Sequence, residues 1–437
     1  MTKVSSQSSP AGAQKAAPRK NSPAQVLSAS LIGTTIEFFD FYAYATAAVL
    51  VFPVLFFPGS DPMTALLASF ATFSIAFFAR PFGALVFGHF GDRVGRKATL
   101  VAALLTMGIS TIIIGLLPTY EQIGVAAPLL LALCRFGQGF GLGGEWGGAV
   151  LLATENAPEG KRSWYGMFPQ LGAPVGLFLS SGFFWILLHV IDEEAFLSWG
   201  WRLPFLASIL LIGLGLWVRL SITETPEFAD ALKKKERVKV PAAEVFSKYK
   251  MTLFLGTFAA LVTFVLFYIC TAWLLSYNVK VVGIPFKDAL LVQIFGSVIF
   301  GIGIILAGKV ADKTGRYAFL IAVTAAIGLF SFALAPLMTP GTDGALNIYP
   351  FVTIGMFLMG LTYGVIGATL AAPFPASVRY TGSSMTFNFA GIFGASLAPY
   401  AATWLQANYG MAHVGYYLLA SAVITLLCVL ALGKNKV

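Results

Sequence analysis

The sequence predicts an all-helical membrane protein with twelve transmembrane helices. Hydrophobic residues make up 57% of its 437 residues and charged residues only 11%, whereas soluble proteins carry roughly 25% charged residues. Apolar stretches of about 20 residues, the length that crosses a bilayer as a helix, recur along the whole chain. The 45 glycine and 39 phenylalanine residues favour closely packed helices over a β-barrel, whose strands alternate polar and apolar residues. This composition excludes a soluble enzyme and a disordered scaffold.

The twelve apolar segments fall into two sets of six. Residues 1–25 lack the apolar core of a cleavable signal and predict a disordered cytoplasmic tail. Residues 220–250 are rich in charge and predict a central cytoplasmic loop, which leaves six-helix halves at 26–219 and 251–437. The segments cover residues 26–52, 65–87, 98–117, 125–152, 164–190, 201–219, 251–277, 288–307, 317–338, 348–372, 383–404 and 413–433.

The basic residues are distributed unevenly over the loops. Of the 28 Lys and Arg residues, 23 lie in the tail, at the C-terminus or in the loops that share their side of the membrane. Since cytoplasmic loops collect Lys and Arg, we expect both termini in the cytoplasm. The net charge of +9 then reflects topology, and cations dispersed over loops do not form a nucleic-acid-binding stripe. Cys134, Cys270 and Cys428 lie far apart within apolar segments, which argues against disulfides and a zinc site.

One loop sequence occurs twice. GHFGDRVGRK at 88–97 aligns without a gap with GKVADKTGRY at 308–317, at an offset of 220 residues. Each copy lies between the second and third segment of its half. Sequence and position therefore agree on a duplicated six-helix unit, which is the construction of one large class of secondary transporters.

The GDRVGRK loop resembles the signature of the major facilitator superfamily, and the resemblance covers nearly the whole chain. Further stretches are similar to its metabolite:proton symporter family, which carries shikimate, 2-oxoglutarate, citrate and proline/betaine, and to enterobacterial inner-membrane metabolite transport proteins. These stretches are IEFFDFYAYATAAVLVFP, FFARPFGALVFGHFGDRVGRK, RFGQGFGLGGEWGGAVLLATENAP and WGWRLPF. The resemblance implies a major facilitator fold of two pseudo-symmetric halves in the bacterial inner membrane. It also implies import of a small metabolite by a monomer, with the proton gradient as energy source and no cofactor.

The resemblance assigns a role to the repeated loop. In the superfamily this loop acts as a cytoplasmic latch between the halves. Tyr317 replaces the usual last basic residue of the second copy, and Ala372 stands where relatives have glutamate, so we expect the second latch to be the weaker one. The latch residues implied here are Asp92, Arg93, Gly95, Arg96 and Glu155, with Asp312 and Arg316 in the second copy.

Five ionisable residues lie inside the apolar segments, where an unpaired charge costs on the order of 3 kcal/mol or more. Arg80 and Glu145 lie nearer the cytoplasm, and we expect them to form an intramembrane pair. Glu37 and Asp40 lie in segment 1 at about the depth of Arg135 in segment 4. The sequence alone also allows all five to be structural ion pairs.

These charges suggest a mechanism of proton-coupled transport. Arg135 presents a fork that suits a carboxylate, and Glu37, Asp40 and Tyr44 share one helix face beside it. We expect Glu37 or Asp40 to carry the proton, with Glu37 preferred, and Arg135 and Tyr44 to bind the substrate, a small organic acid or zwitterion. The second half contributes no intramembrane charge, so we expect its polar residues to form the uncharged side of the binding site, a neutral wall. Each of them could equally make an ordinary interhelical hydrogen bond. They are Tyr268, Tyr277, Asn278, Gln293, Tyr363 and Asn388.

Other functions are open to a sequence of this kind. An exporter of hydrophobic compounds in exchange for protons would use the same fold, and a membrane sensor would bind without transporting. Seven glycines in residues 137–148 contain a GxGxxG pattern, but no strand precedes it, so close helix packing is the expected role. The sequence carries no catalytic triad, zinc spacing or phosphate loop, which argues against an enzyme.

Overall fold

The computed structural model of the protein describes residues 22–59, 61–93, 96–221, 241–339, 347–375 and 378–434. Within these ranges all regular secondary structure is helical. The first half contains α1 (Pro23–Leu50), α2 (Pro62–Arg93), α3 (Arg96–Leu116), α4 (residues 126–155), α5 (Arg162–Val190) and α6 (residues 200–221). The second half contains α7 (Lys250–Val282), α8 (Phe286–Thr314), α9 (Arg316–Met338), α10 (Ile348–Ala371), α11 (residues 379–409) and α12 (Met411–Lys434).

Each predicted apolar segment falls on one of these twelve helices. The largest differences are at the ends, because helices such as α8 continue for a turn or more beyond the bilayer-length apolar stretch. Helix α1 begins at Pro23, where the Ser22 side chain accepts the N–H of Gln25 and caps the helix. The last three residues of the predicted tail are therefore helical, whereas residues 1–21 lie outside the described ranges. Short helices connect the spans at Phe52–Leu55, Tyr120–Ile123, Glu193–Ser198 and Pro241–Lys248.

Four spans are composed of shorter pieces. Helix α4 consists of Ala126–Gly143 and Trp146–Glu155, with a break between them. Helix α6 begins with a 3₁₀ turn at Gly200–Arg202 and continues as Leu203–Leu206 and Ser208–Ser221. Helix α7 consists of five consecutive pieces. They are the α-helical Lys250–Ala259 and Leu261–Tyr268, the π-helical Ile269–Trp273, the α-helical Leu274–Tyr277 and the π-helical Asn278–Val282. Helix α11 consists of Arg379–Ala390, the π-helical Gly391–Ser396 and Ala398–Tyr409.

Nine of the described helices are long and apolar enough to cross a membrane, namely α2, α3, α5 to α10 and α12. The other three spans, α1, α4 and α11, are more polar or interrupted. Helix α1 carries Glu37 and Asp40, α4 carries Arg135 and the break before Glu145, and α11 begins with the polar sequence RYTGSSMTFNFA. These three spans bring four of the interior charged side chains into the bundle, while Arg80 and Arg219 come from the apolar spans α2 and α6.

Glycines allow α2 and α4 to cross at backbone contact. A Cβ atom added to Gly139 would lie 2.1 Å from the carbonyl oxygen of Ala76, and one added to Gly143 would lie 1.9 Å from that of Arg80. No side chain fits into these distances. The expectation that the glycine run serves close helix packing is confirmed.

The two halves meet along several helices. Helix α5 packs along α8 and contacts α10, while α2 contacts α11. Both chain ends of the described bundle, Pro23 of α1 and Lys434 of α12, lie at the same end of the spans. We call this the terminal end, and the other one the opposite end.

The glycine contact gives a prediction about stability. Gly139→Ala should lower the thermal unfolding temperature and the yield of folded protein, because the new methyl group overlaps backbone atoms that cannot move aside. Gly213→Ala in α6 is the matched control, since nothing lies within 4 Å of the added Cβ. It should be neutral or stabilising, because alanine is favoured over glycine in helices by about 1 kcal/mol. Heating in detergent followed by size-exclusion chromatography measures both. Equal behaviour of the two variants would contradict the packing role.

Candidate substrate and proton site

Six acidic and basic side chains lie inside the described part of the bundle, five of them buried and one mostly buried. Glu37, Asp40 and Glu145 are at most 3% exposed, and Arg80 and Arg135 are at most 5% exposed. The sixth is Arg219, whose side chain is 11% exposed. Sequence analysis did not find it, because Arg219 stands at the last position of its apolar segment, next to the charged loop, and was counted with the loop cations. With Arg219 the interior holds three carboxylates and three guanidinium groups.

The structure pairs Glu145 with Arg219 through Oε1 and Nη2. The predicted Arg80–Glu145 pair is therefore wrong. Arg219 lies in the last turn of α6, and its long side chain reaches back into the bundle to the break in α4. Glu145 and Arg219 thus neutralise each other. The other four side chains form no ion pair with any described residue: Glu37, Asp40, Arg80 and Arg135.

Arg135 is enclosed by aromatic rings of the first half. Its Cζ lies 4.1 Å from the ring centre of Tyr44, 4.2 Å from that of Phe41 and 4.8 Å from that of Phe73. Its Nε donates to the carbonyl oxygen of Phe73 at 3.3 Å, and its Nη1 donates to Oε1 of Gln138 at 2.9 Å. Nη2 has no hydrogen-bond partner among the described residues. Cation–π contacts thus hold the guanidinium in place while one donor nitrogen stays open.

Polar side chains lie near both Asp40 and Arg135. Gln138 donates from Nε2 to the hydroxyl of Thr111 at 2.8 Å, and that hydroxyl donates to the carbonyl oxygen of Met107 at 3.0 Å. Ser208 of α6 donates to Oδ1 of Asp40 at 2.5 Å, and Oδ2 has no hydrogen-bond partner among the described residues. Asp40 is thus held by the hydroxyl group of Ser208 rather than by a cation.

Glu37 and Arg80 face the contact between the halves. The guanidinium of Arg80 lies 4.7 Å from the ring centre of Phe41 and 4.6 Å from that of Phe77. A Cβ atom on Gly391 of α11 would lie 4.0 Å from its Nη1, which places Arg80 against the second half. Arg80 interacts electrostatically with Glu37, and neither Arg80 Nε nor Glu37 Oε2 has a hydrogen-bond partner within the described ranges.

The second half contributes the neutral residues that the sequence predicted, at different places. Tyr268 packs edge-on against Phe73 at 5.5 Å, and Tyr363 lies 6.5 Å from the Phe38 ring, so both tyrosines meet the first half. The guanidinium of Arg80 interacts electrostatically with both tyrosines. Gln293 accepts a hydrogen bond from Ser181 across the halves at 3.0 Å.

Two of the predicted wall residues lie elsewhere. The Tyr277 hydroxyl donates to the carbonyl oxygen of Met338, within its own half, at 3.2 Å. Asn278 lies in the last stretch of α7, towards the opposite end, with no hydrogen-bond partner for its amide among the described residues. The halves close on a small void with room for about one water molecule, lined by Tyr42, Ala45, Thr46, Leu177, Tyr268, Thr271, Ala272 and Gln293.

Contacts between α4 and α11 close the terminal end. Asn388 donates from Nδ2 to the carbonyl oxygen of Gly143 at 3.2 Å, and the Tyr380 hydroxyl donates to that of Gly144. Beside them the rings of Trp146 and Phe387 stack with centres 3.6 Å apart and planes within 7°. Asn388, predicted as a substrate contact, therefore holds the two halves together in this structure.

The second copy of the repeated loop also joins the halves. Asp312 accepts the backbone N–H groups of Ser163 at 2.9 Å and of Trp164 at 3.0 Å. These are first-turn donors of α5, where a carboxylate is stabilised by unpaired N–H groups and by the helix dipole. The second copy therefore makes a contact between the halves through Asp312, and the expectation that it is the weaker of the two latches stays a prediction, since the first copy lies largely outside the described residues.

The remaining latch predictions are only partly visible. Arg316 donates to the carbonyl oxygen of Ala368 at 3.3 Å, within its own half. The side chains of Asp92, Arg93 and Arg96 and the whole of Gly95 lie outside the described residues, and the role of Glu155 stays a prediction. No group of three or more His, Cys, Asp or Glu residues suited to a metal ion occurs in the described part of the chain.

Known proteins have similar sequences and the same fold. The family model described as Sugar (and other) transporter matches residues 26–252, slightly more than half of the chain. The chain belongs to this transporter family. The inner membrane metabolite transport protein YhjE of Escherichia coli K12 is 54% identical over 421 residues, 95% of each chain. The shikimate transporter of the same strain is 34% identical over 419 residues, which cover 93% of this chain and 94% of the relative.

Solved structures agree on the fold. The crystal structure of a D-xylose–proton symporter matches with a TM-score of 0.71 over 94% of this chain and 97% of that chain. At 16% identity this similarity shows the fold alone. Together these findings confirm a major facilitator fold of twelve helices in two halves. The protein is a metabolite transporter that crosses the inner membrane several times, and it is not an enzyme.

The Asp312 contact leads to a testable prediction. Asp312→Asn should lower the thermal unfolding temperature by a few degrees and slow transport. The neutral amide loses the charge interaction with the N-terminus of α5, and a cap of this kind contributes about 1 kcal/mol to stability. Asp288→Asn, which removes an exposed carboxylate from the first turn of α8, is the control for the loss of a helix-end charge; it should lower the unfolding temperature less than Asp312→Asn, because the exposed charge is screened, and should leave transport at the parent rate. Thermal unfolding in detergent and uptake into vesicles measure the two effects. A parent-like Asp312→Asn protein would show that the cap does not hold the halves together.

Proposed function

We propose that the protein imports a small organic acid or zwitterionic metabolite together with protons by alternating access. One observation carries the proposal: two guanidinium groups and two carboxyl groups are buried between and beside the halves without an ion pair to any described residue. Unpaired charges are costly inside a membrane protein and commonly mark ion or substrate pathways. The relatives include a shikimate transporter and, among solved structures, a D-xylose–proton symporter.

In this proposal the substrate carboxylate binds to the guanidinium groups. Arg80 is the first ligand, because it lies against both halves and its Nε has no partner among the described residues. Arg135 is the second ligand, since its Cζ and that of Arg80 both lie over the Phe41 ring and its Nη2 has no partner among the described residues. Tyr44 orients Arg135, and Tyr268 and Tyr363 supply the neutral side of the site from the second half. Gln293 lines the void beside them.

Proton coupling follows from the placement of the two carboxyl groups. Glu37 interacts with Arg80, and Asp40 lies near Thr111, which Gln138 links to Arg135 by hydrogen bonds. When an anionic substrate neutralises a guanidinium, the nearby carboxylate loses a favourable charge interaction and is stabilised by taking up a proton. Substrate and proton therefore favour each other's binding, as the reciprocity of linked equilibria requires.

Alternating access requires that the two ends open in turn. In this structure the terminal end is closed by α4, α11 and the Asp312 cap, and the void between the halves is small. We further propose that the terminal end faces the cytoplasm, because 23 of the 28 basic residues belong to that side of the sequence. Arg219, one of those 23, is buried in a pair, and the remaining cations keep the same asymmetry.

The transport proposal can be tested with purified protein. A thermal-shift screen against a panel of organic acids and zwitterions identifies a ligand, since binding to the folded state raises the unfolding temperature. Arg80→Gln should then weaken binding of that ligand about 10-fold or more, because it removes a charge-assisted contact. Lys287→Gln, an exposed cation at the opposite end, is the control and should bind like the parent.

The same ligand distinguishes binding from coupling. In proteoliposomes, either Glu37→Gln or Asp40→Asn should still exchange labelled substrate but fail to accumulate it under an imposed proton gradient, because exchange needs no net proton release. If both variants accumulate substrate with the pH dependence of the parent, the proton path lies elsewhere and the coupling mechanism is wrong.

The orientation is tested separately. Tags at the N-terminus and C-terminus should both be inaccessible from outside intact cells and become accessible after the membrane is permeabilised. A tag inserted in the exposed loop near Asp61 at the opposite end is the control, and it should be accessible in intact cells. A C-terminal tag that is accessible from outside would overturn the proposed orientation.

A further inference from the structure

The break in α4 is held from two directions. At the break, the N–H of Gly144 bonds to the carbonyl oxygen of Gly141, and the N–H of Glu145 bonds to that of Leu142, three residues back in each case. The carbonyl oxygens of Gly143 and Gly144 accept hydrogen bonds from Asn388 and Tyr380 of the other half. The next side chain along, that of Glu145, is bound by Arg219 of its own half.

This arrangement makes Glu145 and Arg219 positioning residues for the closed terminal end. Their ion pair fixes the α4 turn against α6, and the turn presents its two carbonyl groups to α11. Glu145 is buried and Arg219 is 11% exposed, and neither Glu145 Oε2 nor Arg219 Nε has a hydrogen-bond partner among the described residues. Removing Arg219 would therefore leave Glu145 buried without a cation, which is strongly destabilising.

Helix α1 places a second carboxylate beside the same cation. A Cβ atom on Gly33 would lie 3.4 Å from Arg219 Nη2 and 3.7 Å from Glu145 Oε1, so α1 packs directly against the pair. Glu37 follows one helical turn later on the same face of α1. Arg219 and Glu37 interact electrostatically. The charged and titratable groups that act on Glu37 and Arg219 from the surrounding helices are Tyr42 of α1, Arg80 of α2, Glu145 of α4, Tyr363 of α10 and Tyr380 of α11.

We propose that Glu37 and Glu145 compete for Arg219, so that the charge on Glu37 sets how firmly the α4 turn is held against α11. When Glu37 is neutral, Arg219 is left to Glu145 and the turn is fixed. When Glu37 is ionised, it attracts the same guanidinium and weakens the hold on Glu145. Charge interactions of this kind are strong in a poorly solvated interior.

In this proposal the Arg219 side chain alone joins the proton site to the closed terminal end. It rests on the proposed function only in taking Glu37 as a group that exchanges a proton. Nothing in it depends on which substrate is carried. A measurement without substrate can therefore fail or succeed independently of the transport proposal.

The test measures the opening of the terminal end directly. Ser163 is 3% exposed and lies where Asp312 of the other half caps α5, away from the α4 turn. Ser163→Cys, in a protein whose Cys134, Cys270 and Cys428 are replaced by alanine, provides a reporter that N-ethylmaleimide reaches when the halves part. The labelling rate is measured in proteoliposomes without substrate, and this reporter protein is the parent for all further variants.

The expected rates differ in direction between the two carboxylates. Glu145→Gln should label about 10-fold faster than the parent, within the range typical of couplings between sites, because Arg219 no longer holds the turn. Glu37→Gln should label more slowly, because the competitor for Arg219 is gone. Glu244→Gln breaks the exposed pair with Lys248 and is the matched control, which should label at the parent rate.

A double variant tests whether Glu37 acts on the labelling rate through Arg219. It also provides a variant that is expected to fold if a single charge removal does not. Glu145→Gln with Arg219→Gln leaves no buried charge unpaired at this position and should fold, while labelling faster than the parent. In this background Glu37→Gln should have no further effect on the labelling rate. If Glu37→Gln slows labelling equally in the parent and in the double variant, or if the double variant labels at the parent rate, the proposed competition for Arg219 is overturned.

Discussion

The cost of a charge in a hydrocarbon interior governs this structure. An unpaired ion near the bilayer centre costs on the order of 3 kcal/mol or more, and six acidic and basic side chains nevertheless lie inside the described bundle. One carboxylate and one guanidinium neutralise each other at the break in α4. Aromatic faces hold the other two guanidinium groups, a backbone carbonyl also accepts from Arg135, and the Ser208 hydroxyl holds Asp40. Close glycine contacts between α2 and α4 bring Arg135 within reach of Phe73.

The same constraint separates the interior charges into two groups with different consequences. The Glu145–Arg219 pair is complete by itself and fixes the geometry of α4 where the second half docks. The charges on Glu37, Asp40, Arg80 and Arg135 are each stabilised only in part. A partly stabilised charge gains more from a new partner than a paired one does, and this difference is the physical basis for binding an anion and a proton in one place.

The contact between the halves is made of small, separable interactions. A carboxylate caps a helix of the other half, two hydrogen bonds reach the carbonyl groups at a helix break, and one pair of rings stacks beside them. Each contributes on the order of 1 kcal/mol. An interface of this kind can be exchanged for another of similar energy, as a two-state transporter requires. The glycine contacts inside a half involve backbone atoms and cannot be exchanged in this way.

The sequence by itself determined the twelve spans, the division into two halves and the positions of five of the six buried ionisable residues, because length, hydropathy and the cost of charge are local properties. It also identified the glycine run as a packing element. Only the tertiary structure decided which groups meet. Glu145 was assigned to Arg80 and binds Arg219, Asp40 binds Ser208 rather than a cation, and Asp312 caps α5 despite the changed residues around its loop. These partners lie far apart in the chain, and they come together only through the rotation and crossing of whole helices, which no local pattern encodes.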